Sequence, residues 1–408
     1  MAEAFQSPRG FHDILADDSR RFRRVSATIR RILESHGFEE IVLPVVEFAD
    51  LFQRSIGENT DIVQKEMFIF KDRKGRILAL RPEGTAGAVR AYIQHRLWTQ
   101  RPYHRLFYEG PMFRYERPQA GRYRQFHQIG AEVFGSESPA ADAELILMTE
   151  KMLKELSISA EIQINSIGCR KCRPLYRKAL LEFLEGVSSN LCRDCIERKE
   201  KNPLRVLDCK VDSCQEAVAN APATVDFLCD ECKDHYKILR EYLRESKVKF
   251  VENPRLVRGL DYYTRTVFEA ISKKQGTAVI AGGRYDYLVE ELGGPPTPAL
   301  GFAVGVERLM AELGKEGDQR HLYLVIPLGD ALAYALRIAE SLRKRGEAVE
   351  ISLRRGGLKK QLEFADRIGA SYAVMVGEDE LRGGYYTLKD LKTGEQKRIE
   401  FGSSEDEG

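Results

Sequence analysis

Four polar stretches of this 408-residue chain hold residue types that could do chemistry together. "RPEGTAG" (81–87) carries Glu83, Gly84 and Thr85, and "FRYERPQAGRYRQFHQIGAEVFG" (113–135) carries Arg114, Glu116, Arg122, Gln128 and Glu132. "LVRGLDYYTRT" (256–266) carries Arg258, Tyr262 and Tyr263, and "GFAVGVERL" (301–309) ends in Glu307 and Arg308. On neighbouring strands of an antiparallel sheet, alternate side chains share a face. Several of these residues would then line one concavity. Arginines there suit a polyphosphate, because the guanidinium pairs bidentately with phosphate oxygens. The carboxylates suit an ammonium group and a side chain that donates hydrogen bonds. Each stretch also has a plain reading: Arg258 paired with Asp261, two core tyrosines, or an exposed Arg114–Glu116 pair worth at most ~1 kcal/mol. One short motif carries a high false-positive risk, but four in order carry far less.

The eight cysteines are confined to residues 169–232. They fall into pairs: Cys169 and Cys172, Cys192 and Cys195, Cys209 and Cys214, Cys229 and Cys232. Each pair has the knuckle spacing of tetrahedral zinc, so eight ligands would fill two structural sites. The spacing leaves open which pairs join. It also leaves open free thiols, or disulfides in a hyperthermophile.

Those residues need elements to hold them. "DDSRRFRRVSATIRRILES" (17–35) reads as a helix, with Phe22, Val25, Ile29, Ile32 and Leu33 on one face, capped by Asp17 or Asp18. "EEIVLPVVEF" (39–48) reads as a strand interrupted by Pro44, which belongs at an edge or an interface. A hairpin closes at Lys74–Gly75, and a helix starts at Thr85. Two strands follow, joined by the arginine-rich loop "QAGRYR" (119–124), then a helix near 140–156. Residues 166–250 change character, with every cysteine and helical patterns, and read as an insertion. Strand patterns resume at 256. After the polar linker 314–320, a βαβαβ alternation marks a separate α/β domain.

The chain is 43% hydrophobic and 31% charged, with a net charge of +2. No overall basic field advertises nucleic acid, so any such surface is local. The N-terminal residues lack the apolar run of a signal peptide, and no stretch of about 18 apolar residues is present. The expectation is a cytoplasmic protein with no membrane partner.

The four stretches resemble the motifs of the class II aminoacyl-tRNA synthetases, in particular the histidyl-tRNA synthetase family. The segment around Pro44 resembles the family's dimer-interface motif, "MFRYERPQAGRYRQFHQ" its second motif and "ALGFAVGVERL" its third. "LVRGLDYYTRT" is similar to the histidine-specific signature. The resemblance implies an α+β catalytic domain on an antiparallel sheet (1–165 and 251–316), a helical cysteine-containing insertion (166–250), an α/β anticodon-binding domain (320–400) and an acidic tail (401–408). It implies ATP with Mg²⁺, L-histidine and tRNA(His) as ligands, and a homodimer. Arg114 and Arg258 would act at the α-phosphate of ATP, Arg122 and Glu116 near the phosphates, and Arg308 on the adenine. Glu83, Gly84, Thr85 and Gln128 would surround the amino-acid end of histidine. Glu132 and Tyr263 would bond its imidazole, with Tyr262 alongside. The family does not generally need the cysteines. A non-catalytic synthetase-like regulatory subunit of histidine biosynthesis is the rival reading. The presence of Arg114, Arg258, Arg308 and the 320–400 domain speaks against it.

Overall fold

The computed structural model describes residues 5–57, 60–117, 122–314, 321–354 and 356–401. Residues 119–121 of the arginine-rich loop, residues 315–320 of the linker, Arg355 and the tail beyond Phe401 lie outside them. The chain forms two compact units, Met1–Gly314 and Lys315–Gly408.

In chain order the first unit contains α1 (Ala16–Ser35), β1 (Glu39–Glu40), β2 (Val46–Phe48), α2 (Ala49–Ile56), β3 (Ile69–Lys71), β4 (Ile77–Leu80), α3 (Thr85–Gln94), β5 (His104–Phe113), β6 (Gln125–Phe134), α4 (Pro139–Glu155) and β7 (Ala160–Ser166). The insertion follows as α5 (Arg173–Gly186), α6 (Arg193–Lys201), α7 (Asp212–Ala217) and α8 (Asp230–Glu245), joined by short 3₁₀ turns. The chain returns as β8 (Phe250–Glu252), β9 (Thr264–Ser272), β10 (Ala278–Arg284), α9 (Leu288–Glu291), β11 (Ala299–Gly305) and α10 (Val306–Glu312).

Eight strands make one sheet in the order β1-β5-β6-β11-β10-β9-β7-β8. Its middle is antiparallel, while the outermost pairs, β1 with β5 and β7 with β8, run parallel. The sheet is therefore mixed, with its antiparallel part under the polar stretches. Strand periodicity divides the side chains. Ile129, Ala131 and Val133 join Phe268 and Ala270 in a core with α1, α4, α8 and α10. Tyr108, Phe134 and Val267 belong to the opposite face, with α3 and the insertion. Residues 128, 130 and 132 share that second face.

Helix α1 buries Val25, Ile29, Ile32 and Leu33, as the three- and four-residue spacing dictates. Its cap differs from expectation. Leu15 is the N-cap and makes no side-chain bond, while Asp17 and Asp18 lie in the first turn. There they face the positive end of the helix dipole and pair with Arg20 and Arg21. The segment at 39–48 is not one strand either. Pro44 cannot donate to a ladder, and the chain changes sheets around it. Glu39–Glu40 pair with β5, and Val46–Phe48 pair with β4 in a three-stranded sheet β2-β4-β3.

A buried ion pair ties β10 to α4. Arg284, fully buried, donates to Asp142 at 2.6 and 2.9 Å and to the Ser136 and Ser138 carbonyls. His235 Nε2 lies 3.5 Å from the same carboxylate. Burial alone would raise the pKa of Asp142, but Arg284 outweighs it and holds the carboxyl below its ordinary value. Asp142→Asn leaves Arg284 buried with only Asp286, 3.2 Å away, as its counter-charge and should cost about 3 kcal/mol. The stabilisation is present above the ordinary carboxylate value of about 3.9 and lost as pH falls through the lowered one. Urea titrations should therefore show the gap between variant and parent narrowing below about pH 4.

The second unit holds β12 (Leu322–Pro327), α11 (Leu332–Lys344), β13 (Ala348–Ile351), α12 (Leu358–Arg367), β14 (Tyr372–Val376), α13 (Glu378–Gly383), β15 (Tyr385–Asp390) and β16 (Gln396–Glu400). Its sheet runs β13-β12-β14-β15-β16, parallel through the first three and antiparallel in the last two. Among the described residues, its two hydrophobic clusters draw only on this unit.

Candidate active site

The second face of the main sheet forms the floor of a cavity of about 380 Å³. Glu83, Thr85, Arg114, Glu116, Arg122, Gln128, Glu132, Arg258, Tyr262, Tyr263 and Arg308 all line it. Gly84 stands behind the wall, where the Tyr108 ring packs so closely that a Cβ would overlap it. A larger cavity of about 710 Å³ opens behind Arg258, between α5 and residues 201–205. The floor residues Glu83, Gln128 and Glu132 do not reach it, so the smaller cavity holds the convergent chemistry.

Strand register explains the floor. Tyr108 lies opposite Gly130 on the neighbouring strand, and Glu132 lies opposite Gly301. A Cβ at either glycine would overlap the side chain facing it. The glycines thus leave room for a phenol and a carboxyl to lie flat on the sheet. Glu132, 1% exposed, accepts from Thr85 Oγ1 at 2.9 Å, from Tyr108 Oη at 2.9 Å and from Tyr285. Burial pushes its carboxyl up to about 8, although the three hydroxyls oppose the shift. Tyr262 and Tyr263 are also buried, their rings 4.7 Å apart.

Glu83 accepts from the Thr85 and Ala86 amides at 2.6 and 2.9 Å, closing the N-terminus of α3. Burial raises its pKa, against those two amides. Thr85 therefore spends its proton on Glu132 and keeps only acceptor capacity toward the cavity. Gln128 Oε1 is buried with no protein partner, so three acceptors converge here.

The opposite end is cationic. Arg114 donates to the Pro82 carbonyl at 2.9 Å, and its guanidinium carbon lies 5.4 Å from the Phe126 ring centre. Glu116 lies between Arg114, at 3.9 Å, and Arg122, at 3.7 Å. Arg308 donates to the Ala278 carbonyl at 2.7 Å. Burial lowers its pKa, and the charges of Arg122 and Arg114 lower it further. Its neighbour Glu307 accepts from the backbone and ring nitrogens of His127 at 2.8–3.0 Å, fixing the start of α10 to β6. Arg258 pairs with Glu269, not with Asp261, and sits 5.6 Å from the Tyr263 ring centre. Burial works against its charge, but Glu269 outweighs this and holds the guanidinium above its ordinary value. Asp261 is held instead by Asn202 at 2.5 Å.

Tyr108, Tyr285 and Glu269 are the site residues that sequence reasoning missed. A signal existed for Glu269, a single carboxylate in the apolar strand "TVFEAI". Tyr108 and Tyr285 carry none, because a tyrosine in a strand reads equally as core.

The cavity thus has a deep polar floor for a flat hydrogen-bonding group, a belt of acceptors and an arginine-rich end. Comparison with known proteins agrees with that chemistry. The family model described as "Histidyl-tRNA synthetase" matches residues 10–309, and "Anticodon binding domain" matches residues 323–407. A "Histidine--tRNA ligase" of Aquifex aeolicus is 64% identical over 397 residues, covering 97% of this chain and 98% of the relative. One of Thermodesulfovibrio yellowstonii is 49% identical over 395 residues, covering 95% and 94%. The crystal structure of apo S. aureus histidyl-tRNA synthetase superposes with a TM-score of 0.79 at 34% identity, covering 97% of both chains. With its class II fold and its four polar stretches converging on one cavity, the chain belongs to the histidyl-tRNA synthetase family.

Proposed function

We propose that this cavity activates L-histidine with ATP to histidyl-adenylate and that the enzyme passes the histidyl group to the 3′ end of tRNA(His), releasing pyrophosphate and AMP. The observation that carries the reading is the meeting of Arg114, Arg258 and Arg308 with Glu132, Gln128 and Tyr263 in one cavity. The histidine ammonium faces acceptors only: Glu83, the Thr85 hydroxyl and Gln128 Oε1. The imidazole lies between Glu132 and Tyr263, with Tyr262 alongside. The histidine carboxylate attacks the α-phosphorus in line and pyrophosphate leaves. Arg114 and Arg258 offset the repulsion between the two anions and stabilise the equatorial oxygens, with no protein nucleophile. Arg308 stacks on the adenine. ATP enters as its Mg²⁺ complex, the ion shielding the β- and γ-phosphates. Glu116 and Arg122 face that end.

The enzyme acts in the cytoplasm as a homodimer. Among the described residues no helix is long and apolar enough to cross a membrane. Val46, Phe48, Ile69, Phe70 and Ile77 of the three-stranded sheet are exposed, an apolar patch of the kind that marks an interface. The eight cysteines, which meet in two groups of four, hold structural zinc. The regulatory-subunit rival is disfavoured, since all three arginines and the second unit are present.

Pyrophosphate exchange with each of the twenty amino acids tests the reaction, and only histidine should support it. Glu132→Gln and Tyr263→Phe should each raise the KM for histidine by about tenfold or more, the scale of a hydrogen bond to a charged group. The KM for ATP should move less than about twofold by the same measure. Equal effects on both substrates would reverse the orientation of the pocket.

A further inference from the structure

The eight cysteines meet in two groups, and the pairing is nested. Cys169 and Cys172, at the start of the insertion, meet Cys229 and Cys232 near its end. Cys192 and Cys195 meet Cys209 and Cys214 between them. Within each group the sulfur atoms all lie within 4.8 Å of one another. Four thiolates about 2.3 Å from a zinc ion at a tetrahedron's centre stand about 3.8 Å apart. Cys169 Sγ lies 3.7 Å from Cys172 Sγ and 3.8 Å from Cys229 Sγ, and Cys192 Sγ lies 3.9 Å from Cys209 Sγ. Backbone amides already donate to the sulfurs. Cys229 N reaches Cys172 Sγ at 3.1 Å and Cys192 N reaches Cys214 Sγ at 3.0 Å. Gly168 opens the outer group at φ +69°, where a Cβ would lie 2.5 Å from that of Cys172. A side chain there would push the first knuckle out of place.

The two groups have different neighbours. The outer one joins the end of β7 to the start of α8, clasping the insertion where it leaves the catalytic sheet. The inner one sits against the cavity. Asp208 and Lys210, on either side of Cys209, both line the active-site pocket. They pair with each other at 2.9 Å on its rim. The same segment is moored from the other side. Arg198 and Arg205 reach Asp61 at 2.7 and 3.3 Å, and Asn202 reaches Asp261 beside the tyrosine pair. Residues 203–211 are thus a short wall, containing a single 3₁₀ turn at Pro203–Val206. Little regular structure holds it.

We infer that the chain binds two zinc ions of different duty, an outer one that closes the base of the insertion and an inner one, on Cys192, Cys195, Cys209 and Cys214, that holds the Asp208–Lys210 wall against the active-site pocket, where Lys210 meets the anionic substrate. The identity of that substrate rests on the synthetase reading. The metal count and the wall do not.

The test uses the full-length chain, purified under reductant without chelator. Elemental analysis should find about two zinc ions per chain. Cys214→Ser should lose one and keep the other. Amide exchange in residues 203–211 should then rise at least about tenfold while the sheet strands stay protected, and the KM for ATP should rise about fivefold or more. Cys214→His, which restores a zinc ligand, should recover both ions and the protection. Lys210→Ala should keep two ions and reproduce the KM change. A chain that stays metal-free after incubation with zinc sulfate overturns the sites. Loss of both ions or of neither in Cys214→Ser overturns the pairing. Loss of one ion without increased exchange at 203–211 overturns the wall. A correct zinc count with altered exchange, in a chain that never supports histidine-dependent pyrophosphate exchange, overturns the synthetase reading alone.

Discussion

Arg258→Ala lowers histidine-dependent pyrophosphate exchange by about 10²–10³-fold, the cost of removing one preorganised donor at a developing charge. The structure gives the size its reason. Glu269 fixes the guanidinium beside the tyrosine pair, so no reorganisation is needed when charge builds on the α-phosphate. The substitution also strands Glu269, so Arg258→Ala/Glu269→Ala serves as the folding control. The double variant should unfold at a denaturant concentration close to the parent's and remain inactive. A fall of less than about tenfold, or ~1.4 kcal/mol, would remove Arg258 from the reaction.

Deleting residues 315–408 leaves pyrophosphate exchange within about twofold of the full chain but lowers aminoacylation of tRNA by at least about a hundredfold in kcat/KM. Among the described residues, the hydrophobic clusters of the first unit draw on none beyond Leu313, so the truncated chain keeps the cores that support the cavity. The second unit offers Arg354, Lys359 and Lys360, all exposed around Gly356–Gly357. Gln361 Nε2 ties that turn by donating to the Arg354 carbonyl. These cations are the candidates for phosphate contacts, so tRNA affinity of the full chain should fall as salt rises. Equal charging by the truncated and full chains would deny this unit its part in reading tRNA.

Much of this was legible in the sequence because period-two and period-3.6 patterns survive burial. The core face of α1, the strand that leads into Arg114 and the one that bears Glu132, and the βαβαβ run of the second unit all follow from spacing. Other features did not follow. β15 and β16 went unread, because short half-exposed hairpin strands such as "YYTLKD" and "QKRIE" carry many charges and resemble loops. The division of 39–48 between two sheets needed the partners β4 and β5, which local pattern cannot supply. The candidate site was readable as residue types, through four ordered motifs. Its internal wiring was not. That Arg258 turns to Glu269 and not Asp261, and that Thr85 donates to Glu132, depends on cross-strand register and on hydroxyl partners far along the chain. The cysteine pairing was similarly hidden, since spacing defines knuckles but nesting is a property of the folded insertion.

The glycines facing Tyr108 and Glu132 also limit what single-step sequence change can reach. Any residue other than glycine at 130 or 301 displaces the phenol or the carboxyl it faces, and the displaced group moves into the substrate cavity that it lines. Replacing Tyr108 or Glu132 alone leaves buried hydroxyls without their acceptor or opens a void over a glycine. A path toward a different amino acid must alter at least two neighbouring strands together, and each intermediate would be impaired. The same holds for escape from an inhibitor that mimics the imidazole. Resistant variants should therefore map to the arginine-rich end or the 203–211 wall, leaving the floor unchanged.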